Sequence, residues 1–182
     1  MPVKPNFNPD YLYFVTTSAH NHAHLFQRDV IKRIIVDSLH FMRTSAWLKL
    51  YAFIVMPNHI HFIARILEGF ILSDVMRDFK KYTSKQIARQ FQVEENDKAL
   101  AKLQEAGKTR GHQFKVWEDD YDGRDVFSSG FFEQKVNYIH YNPCQPQWNL
   151  VKYPEDYIGS SARFYMANKP VIIPIDDARE LY

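Results

Sequence analysis

The sequence predicts an α+β fold: a ferredoxin-like antiparallel sheet with helices packed on it, followed by a C-terminal extension. Three observations predict it. Short aromatic and β-branched runs alternate with segments of helical periodicity, in the order strand, helix, strand, strand, helix, strand, helix. The two consecutive strands are separated only by the turn signal Pro57-Asn58, which makes them an antiparallel pair. The 182 residues, 46% hydrophobic and 15% aromatic, are enough for one filled core and few for two. One domain over 1–182 is expected, with residues 93–112 an exposed insertion and 166–182 a C-terminal tail.

Each element has its own signal. Residues 11–17 (YLYFVTT) are aromatic and β-branched, bounded by Pro9 and a polar run. Residues 29–43 place Ile31, Ile34, Ile35, Leu39 and Met42 at helical spacing. Residues 47–56 (WLKLYAFIVM) are apolar on both faces after Lys49, as in a strand covered on both sides. Residues 59–67 (HIHFIARIL) form the next strand. A helix over 72–91 turns Leu72, Met76, Phe79, Ile87 and Phe91 inward. Its other side carries Arg77, Lys80, Lys81, Lys85 and Arg89 against only Asp74 and Asp78. A short helix is expected over 97–106, and a brief strand over 114–117. Residues 117–123 (WEDDYDG) read as an acidic loop. Ser128 or Ser129 caps a helix running to Asn142, where Pro143 disfavours helical geometry in the residue before it. Phe132, Val136 and Ile139 form its apolar stripe, while Phe131, Lys135, Tyr138 and Asn142 share another face. Another short helix is expected within 154–165, and Val171, Ile172 and Ile173 form an apolar patch that packs back on the body.

Charge and cysteine usage exclude several classes. With 23 Lys and Arg against 21 Asp and Glu, the net charge is +2. The pI of about 8.5 permits a nucleic-acid partner without arguing for one. The single cysteine, Cys144, excludes an internal disulfide and any CxxC zinc site. No apolar run approaches the ~18 residues of a membrane span, and the N-terminus lacks a signal-peptide pattern. A cytoplasmic protein with no membrane partner is expected.

The chemistry concentrates in Val55-Met56-Pro57-Asn58-His59-Ile60-His61-Phe62-Ile63. Strand side chains alternate faces, so His59 and His61 point the same way. Two such imidazoles can grip one metal ion, or can equally be core histidines bonded to backbone. The late helix offers the missing parts: Asn142 as a third ligand and the phenol of Tyr138 as a nucleophile, with Tyr141 the nearest substitute. His140 is read as a proton shuttle or a surface residue. Two rival metal sites are open. His20, His22 and His24 would share a face if extended, but their neighbours predict a loop. The carboxylates of 117–123 are ligands or a solvated turn. The excess of cations over 77–89 suits phosphate contact, an ordinary solvated helix face being the alternative.

These residues carry a family resemblance. MPNHIHFI resembles the His-hydrophobic-His motif of the single-tyrosine (Y1, HUH) transposases of the IS200/IS605 type. YIHYNP resembles the tyrosine motif of their relatives, the REP-associated tyrosine transposases. The similarity extends through YAFIVMPNHIHFIARI, DVMRDFKKYTSKQI and PEDYIGSSARFY, although residues 143–149 depart from the family's usual return segment. The resemblance implies metal-binding histidines at His59 and His61, a third ligand at Asn142, and a catalytic tyrosine at Tyr138. It implies a divalent metal, Mg²⁺ or Mn²⁺, although two imidazoles and an amide suit Mn²⁺ or Zn²⁺ rather better by ligand preference. The implied reaction is cleavage and strand transfer of single-stranded DNA, folded as a hairpin, through a 5′-phosphotyrosine. Arg77, Lys80, Lys81 and Lys85 are the expected DNA-binding groups. A homodimer, with sites in cis or in trans, is left open. The alternatives are a module on this fold that binds hairpins without cleaving them, and a metal-dependent hydrolase that uses water.

Overall fold

The computed structural model describes residues 12–108 and 111–177. Tyr11, positions 109–110 of the expected insertion, and residues 178–182 of the expected tail lie outside the described residues. Four strands and five helices follow one another as β1 (Leu12–Ser18), α1 (Asp29–Thr44), β2 (Leu48–Val55), β3 (His59–Ile66), α2 (Leu72–Val93), α3 (Asp97–Lys108), β4 (Asp122–Val126), α4 (Ser129–Tyr141) and α5 (Ala162–Ala167). The strands pair antiparallel throughout, in the order β2-β3-β1-β4. This is the split βαβ order of ferredoxin-like sheets. Among the described residues, no helix is long and apolar enough to cross a membrane.

The sheet is covered on both faces, and the two faces have different jobs. One face presents Tyr13, Val15, Phe53, Val55, Ile60, Phe62 and Ala64 to α1 and α2. The stripes expected from periodicity do this packing: Ile31, Ile35, Leu39 and Met42 from α1, and Leu72, Met76, Phe79, Ile87 and Phe91 from α2, are all buried. Leu103 of α3 joins the same core. The opposite face presents Leu12, Phe14, Ala52, Ile54 and Ile63, and receives Phe132, Val136 and Ile139 of α4. Burying each such side chain contributes roughly 1.5–3 kcal/mol, so three in one stripe fix the roll of α4 on the sheet. His59 and His61 belong to this second face, because His61 pairs with Thr16 and Ile54 in register.

The fourth strand corrects the sequence expectation. Residues 114–117 form no strand, and Trp117 makes only an isolated bridge to Ala19. Its indole is instead a buried plug, 3% exposed, with Nε1 donating to Thr83 Oγ1 at 2.8 Å. The strand is Asp122–Val126, inside and just beyond the segment read as an acidic loop. It lies at the sheet edge, where charged residues are tolerated, so period and hydrophobicity give no signal there. Gly123 makes a close fit: a Cβ there would meet Leu72 Cδ2 at 3.1 Å, so the leucine would have to shift.

The other edge, β2, is closed by the C-terminal part of the chain. Val55 N–H donates to Gly159 O and Ser161 N–H to Phe53 O. Asp176 accepts from Leu50 N–H at 3.0 Å and is held by Arg43 Nε at 2.9 Å. Ile173 of the expected apolar patch is buried against the main core.

His140 is not a surface residue. It is fully buried, and its Nε2 shares a hydrogen with Ser161 Oγ at 2.8 Å. Burial pushes its pKa down to about 3 from 6.5. The folded value lies below the unfolded one, so the stability tied to neutral His140 is complete above about pH 6.5 and is lost as pH falls toward 3. Thermal melts from pH 7.5 to 4 should therefore show Tm falling below pH 6.5, with a shallower fall in His140→Gln.

Candidate metal and tyrosine site

Strand β3 delivers the histidine pair. The rings of His59 and His61 lie 4.7 Å apart, edge to face. Each Nδ1 is tied down by a neighbour. Asn58 Oδ1 lies 2.6 Å from His59 Nδ1. An amide oxygen can only accept, so that nitrogen carries the proton and the Nε2 lone pair is left free. Thr16 Oγ1, directly across the strand pair, lies 2.7 Å from His61 Nδ1. His61 is 3% exposed, and its Nε2 is buried with no hydrogen-bond partner. Burial first, then the neighbouring His22, lowers the pKa of His59 to about 4. Burial, then His59 and Lys135, lowers that of His61 to about 3. Both imidazoles are therefore neutral at neutral pH, the state a metal ligand requires.

Helix α4 delivers the rest. Ser128 Oγ caps it by accepting from Phe131 N–H at 3.2 Å. With Phe132, Val136 and Ile139 turned into the sheet, the next face of the helix carries Lys135 and Tyr138 along the histidine side. The Tyr138 ring lies 5.2 Å from that of His61 and 6.0 Å from that of Phe14, yet the residue is 52% exposed. It is therefore both held and reachable. Lys135 Nζ sits over the rings of Phe14, Phe131 and Tyr138 at 4.7, 5.1 and 5.7 Å. At the end of α4 the backbone tightens into a 3-10 turn over Asn142–Cys144. Asn142 is buried there, with Nδ2 at 3.4 Å from His59 Nε2. A half-turn of its amide would put Oδ1 in the same place.

These residues fit a divalent metal. Two imidazoles present their Nε2 atoms, one of them buried without a partner, and an amide lies against the other. An unpartnered buried polar atom is costly unless something binds it. The donor set is two nitrogens and one amide oxygen. Among the described residues, no group of three or more His, Cys, Asp or Glu side chains could hold an ion. Neither rival site is therefore assembled. His20–His22 is a 3-10 turn, not an extended run. The acidic segment is dispersed among other partners: Glu118 accepts from Asn21 N–H, Asp119 pairs with Lys115, and Asp122 with Arg124.

The basic stripe of α2 is not brought to this site, because α2 packs on the other face of the sheet. Two of its members are also occupied. Arg77 is paired with Asp74 and Asp78. Lys80 is half-buried and donates to the carbonyls of Glu118, Asp119 and Asp120. Lys81 and Lys85 are exposed. Tyr141 is exposed as well, and it is the ring of Tyr138 that meets His61.

Of four further residues near the site, three carry no functional signal of their own in the sequence. Thr16 is visible only through strand register. Asn58 reads simply as a turn residue. Lys135 shares the tyrosine's helix face, a signal that periodicity does carry. Trp148, from the irregular return, places its ring 5.7 Å from His59 and 5.6 Å from His24.

Residues 10–142 match the family described as "Transposase IS200 like". None of the curated proteins matches the chain. Among solved structures, a REP-associated tyrosine transposase bound to a REP hairpin is similar with a TM-score of 0.63 at 16% identity, covering 97% of this chain and 92% of that one. A "putative transposase" from Deinococcus radiodurans gives a TM-score of 0.47 at 17% identity, covering 76% and 95%. The match spans the whole sheet, the histidine pair, the tyrosine and Asn142, and the chain belongs to the IS200-like transposase family.

Proposed function

We propose that this chain cleaves and rejoins single-stranded DNA through a covalent intermediate on Tyr138. The observation that carries the reading is the contact of an exposed phenol, at 5.2 Å between rings, with a histidine whose Nε2 is buried and unpartnered. The transposase of similar fold is bound to a REP hairpin, and a DNA hairpin with an unpaired flank is the substrate inferred here.

His59, His61 and Asn142 would hold one divalent ion, Mg²⁺ or Mn²⁺. When bound, it supplies Lewis-acid polarisation of a non-bridging oxygen of the scissile phosphate. The remaining roles belong to the chain. Tyr138 Oη attacks phosphorus, the P–O3′ bond breaks, and the departing O3′ takes up a proton as the phenol loses its own. The product is a 5′-phosphotyrosine and a free 3′-OH. One phosphodiester replaces another, so rejoining needs no nucleotide cofactor. Lys135, beside the ring, offsets negative charge on the phenolate and the phosphate. Thr16 and Asn58 keep both Nε2 lone pairs turned toward the ion. Any phosphate contacted by Lys81 or Lys85 lies on the far side of the sheet from the scissile one.

Incubation of a hairpin oligonucleotide with the protein and Mn²⁺ should give a covalent protein–DNA adduct on a denaturing gel, and Tyr138→Phe should give none. Binding without any adduct would support a non-cleaving module, and cleavage that survives Tyr138→Phe would support a hydrolase using water. Within one chain the Tyr138 ring already meets His61, so mixing Tyr138→Phe with His59→Ala should not restore the adduct; restoration would mean sites shared across a homodimer. By calorimetry, His61→Ala should abolish measurable Mn²⁺ binding. Thr16→Val, which keeps the strand but removes the hydroxyl, should weaken it by about 10- to 100-fold.

A further inference from the structure

We propose that Phe127, Phe131 and Lys135 form a stacking shelf that holds unpaired nucleotides beside the cleavage centre; this rests on the DNA-cleavage reading above. Phe127 precedes the cap of α4 and is 72% exposed. A hydrophobic staple would pair the residue before the cap with the fourth helical residue, Phe132. Phe132 is buried in the sheet core instead. Phe127 stacks on Phe131, with ring centroids 5.7 Å apart and planes at 14°. Phe131 is half-buried against the core under α4, so the outer side of Phe127 is the open face of the step the two rings form.

The step continues into the site. Lys135 Nζ lies over Phe131 at 5.1 Å and over Tyr138 at 5.7 Å, and Tyr138 touches His61. Lys135 has no carboxylate within ion-pair distance among the described residues; the nearby Asp122 is taken by Arg124 Nε at 2.9 Å. The open outer face of Phe127, backed by the half-buried Phe131 and followed by an ammonium with no ion-pair partner among the described residues, matches the chemistry of single-stranded DNA. A base stacks on the Phe127 ring whatever its identity, with Phe131 holding that ring from behind, and the neighbouring phosphate meets the cation. A duplex has no exposed base faces to offer, so the occupant is the unpaired flank rather than the hairpin stem.

The test uses the full chain in EDTA, which prevents cleavage, and a hairpin with or without a single-stranded tail carrying 2-aminopurine. Fluorescence should be quenched when the tailed hairpin binds, and the quenching should be lost in Phe127→Ala and Phe131→Ala. Affinity for the tailed hairpin should fall about 5- to 150-fold in each variant, with the blunt hairpin unaffected. Lys135→Gln should lower the salt slope of tail binding by about 0.7. Thermal melts check that the variants fold. Wild-type affinity for the tail in Phe127→Ala, or a changed oligomeric state in place of weaker binding, would overturn the shelf. The covalent adduct, measured on the same oligonucleotides with Mn²⁺, separates the two readings. An adduct with no dependence on Phe127 overturns the shelf and leaves cleavage standing. Phenylalanine-dependent quenching without an adduct does the reverse.

Discussion

Everything at the site depends on the antiparallel register of β1 against β3. It sets Thr16 opposite His61 and Phe14 opposite Ile63. A slip of one residue would turn His59 and His61 to the face that α1 and α2 fill with aliphatic side chains, where an imidazole pair would have no room and no access. In the observed register, Thr16 holds His61 by Nδ1, and Phe14 stacks on its ring at 5.4 Å. The ring can then present only its Nε2 toward His59 and Tyr138. The apolar residues on the opposite side of both strands enforce that register, so the burial of the core and the aim of the ligand are one constraint.

The sheet separates support from chemistry. Helices α1, α2 and α3 seal one face, and the other face is shared between the packed stripe of α4 and the histidine pair. Because α4 is anchored by three buried side chains, its adjacent face is placed without further contacts. Tyr138 can then stay half exposed while its ring is held against His61. Preorganising a nucleophile normally costs exposure, since burial is what fixes a side chain. Here the helix is buried and the nucleophile is not. Lys135 extends the same logic: its ammonium lies over three rings, and burial, followed by the nearby Arg124, lowers its pKa. A cation in that state gains from a phosphate neighbour.

Elements with a strong period are legible in the sequence. Both long helices, the β2–β3 pair and the cap at Ser128 lie where apolar spacing and turn residues put them, within a residue or two at the ends. The strand Asp122–Val126 is not legible in this way, because an edge strand of polar residues carries no hydrophobic alternation. Trp117 reads as part of a strand, since aromatic residues favour strands, yet a buried hydrogen bond to Thr83 makes it a plug. His140 sits between two site residues in sequence and is nevertheless a core residue, because helical rotation carries it toward Ser161.

The parity of His59 and His61, the helical spacing of Lys135, Tyr138 and Asn142, and the order of elements that makes the sheet all follow from the amino-acid sequence. These are local consequences of backbone geometry, which neighbours along the chain dictate. Which groups meet across distance is instead a matter of tertiary packing. Strand register chose Thr16 as the partner of His61. Packing of α4 brought Tyr138 to that ring, and the return of the chain brought Trp148 to His59. The same packing sent the basic stripe of α2 to the far face, although its composition alone suited it to the site. Spacing along the chain sets which way a side chain points from its own element. Which element it then faces is set by how all the apolar faces are buried together, and no short stretch of sequence contains that.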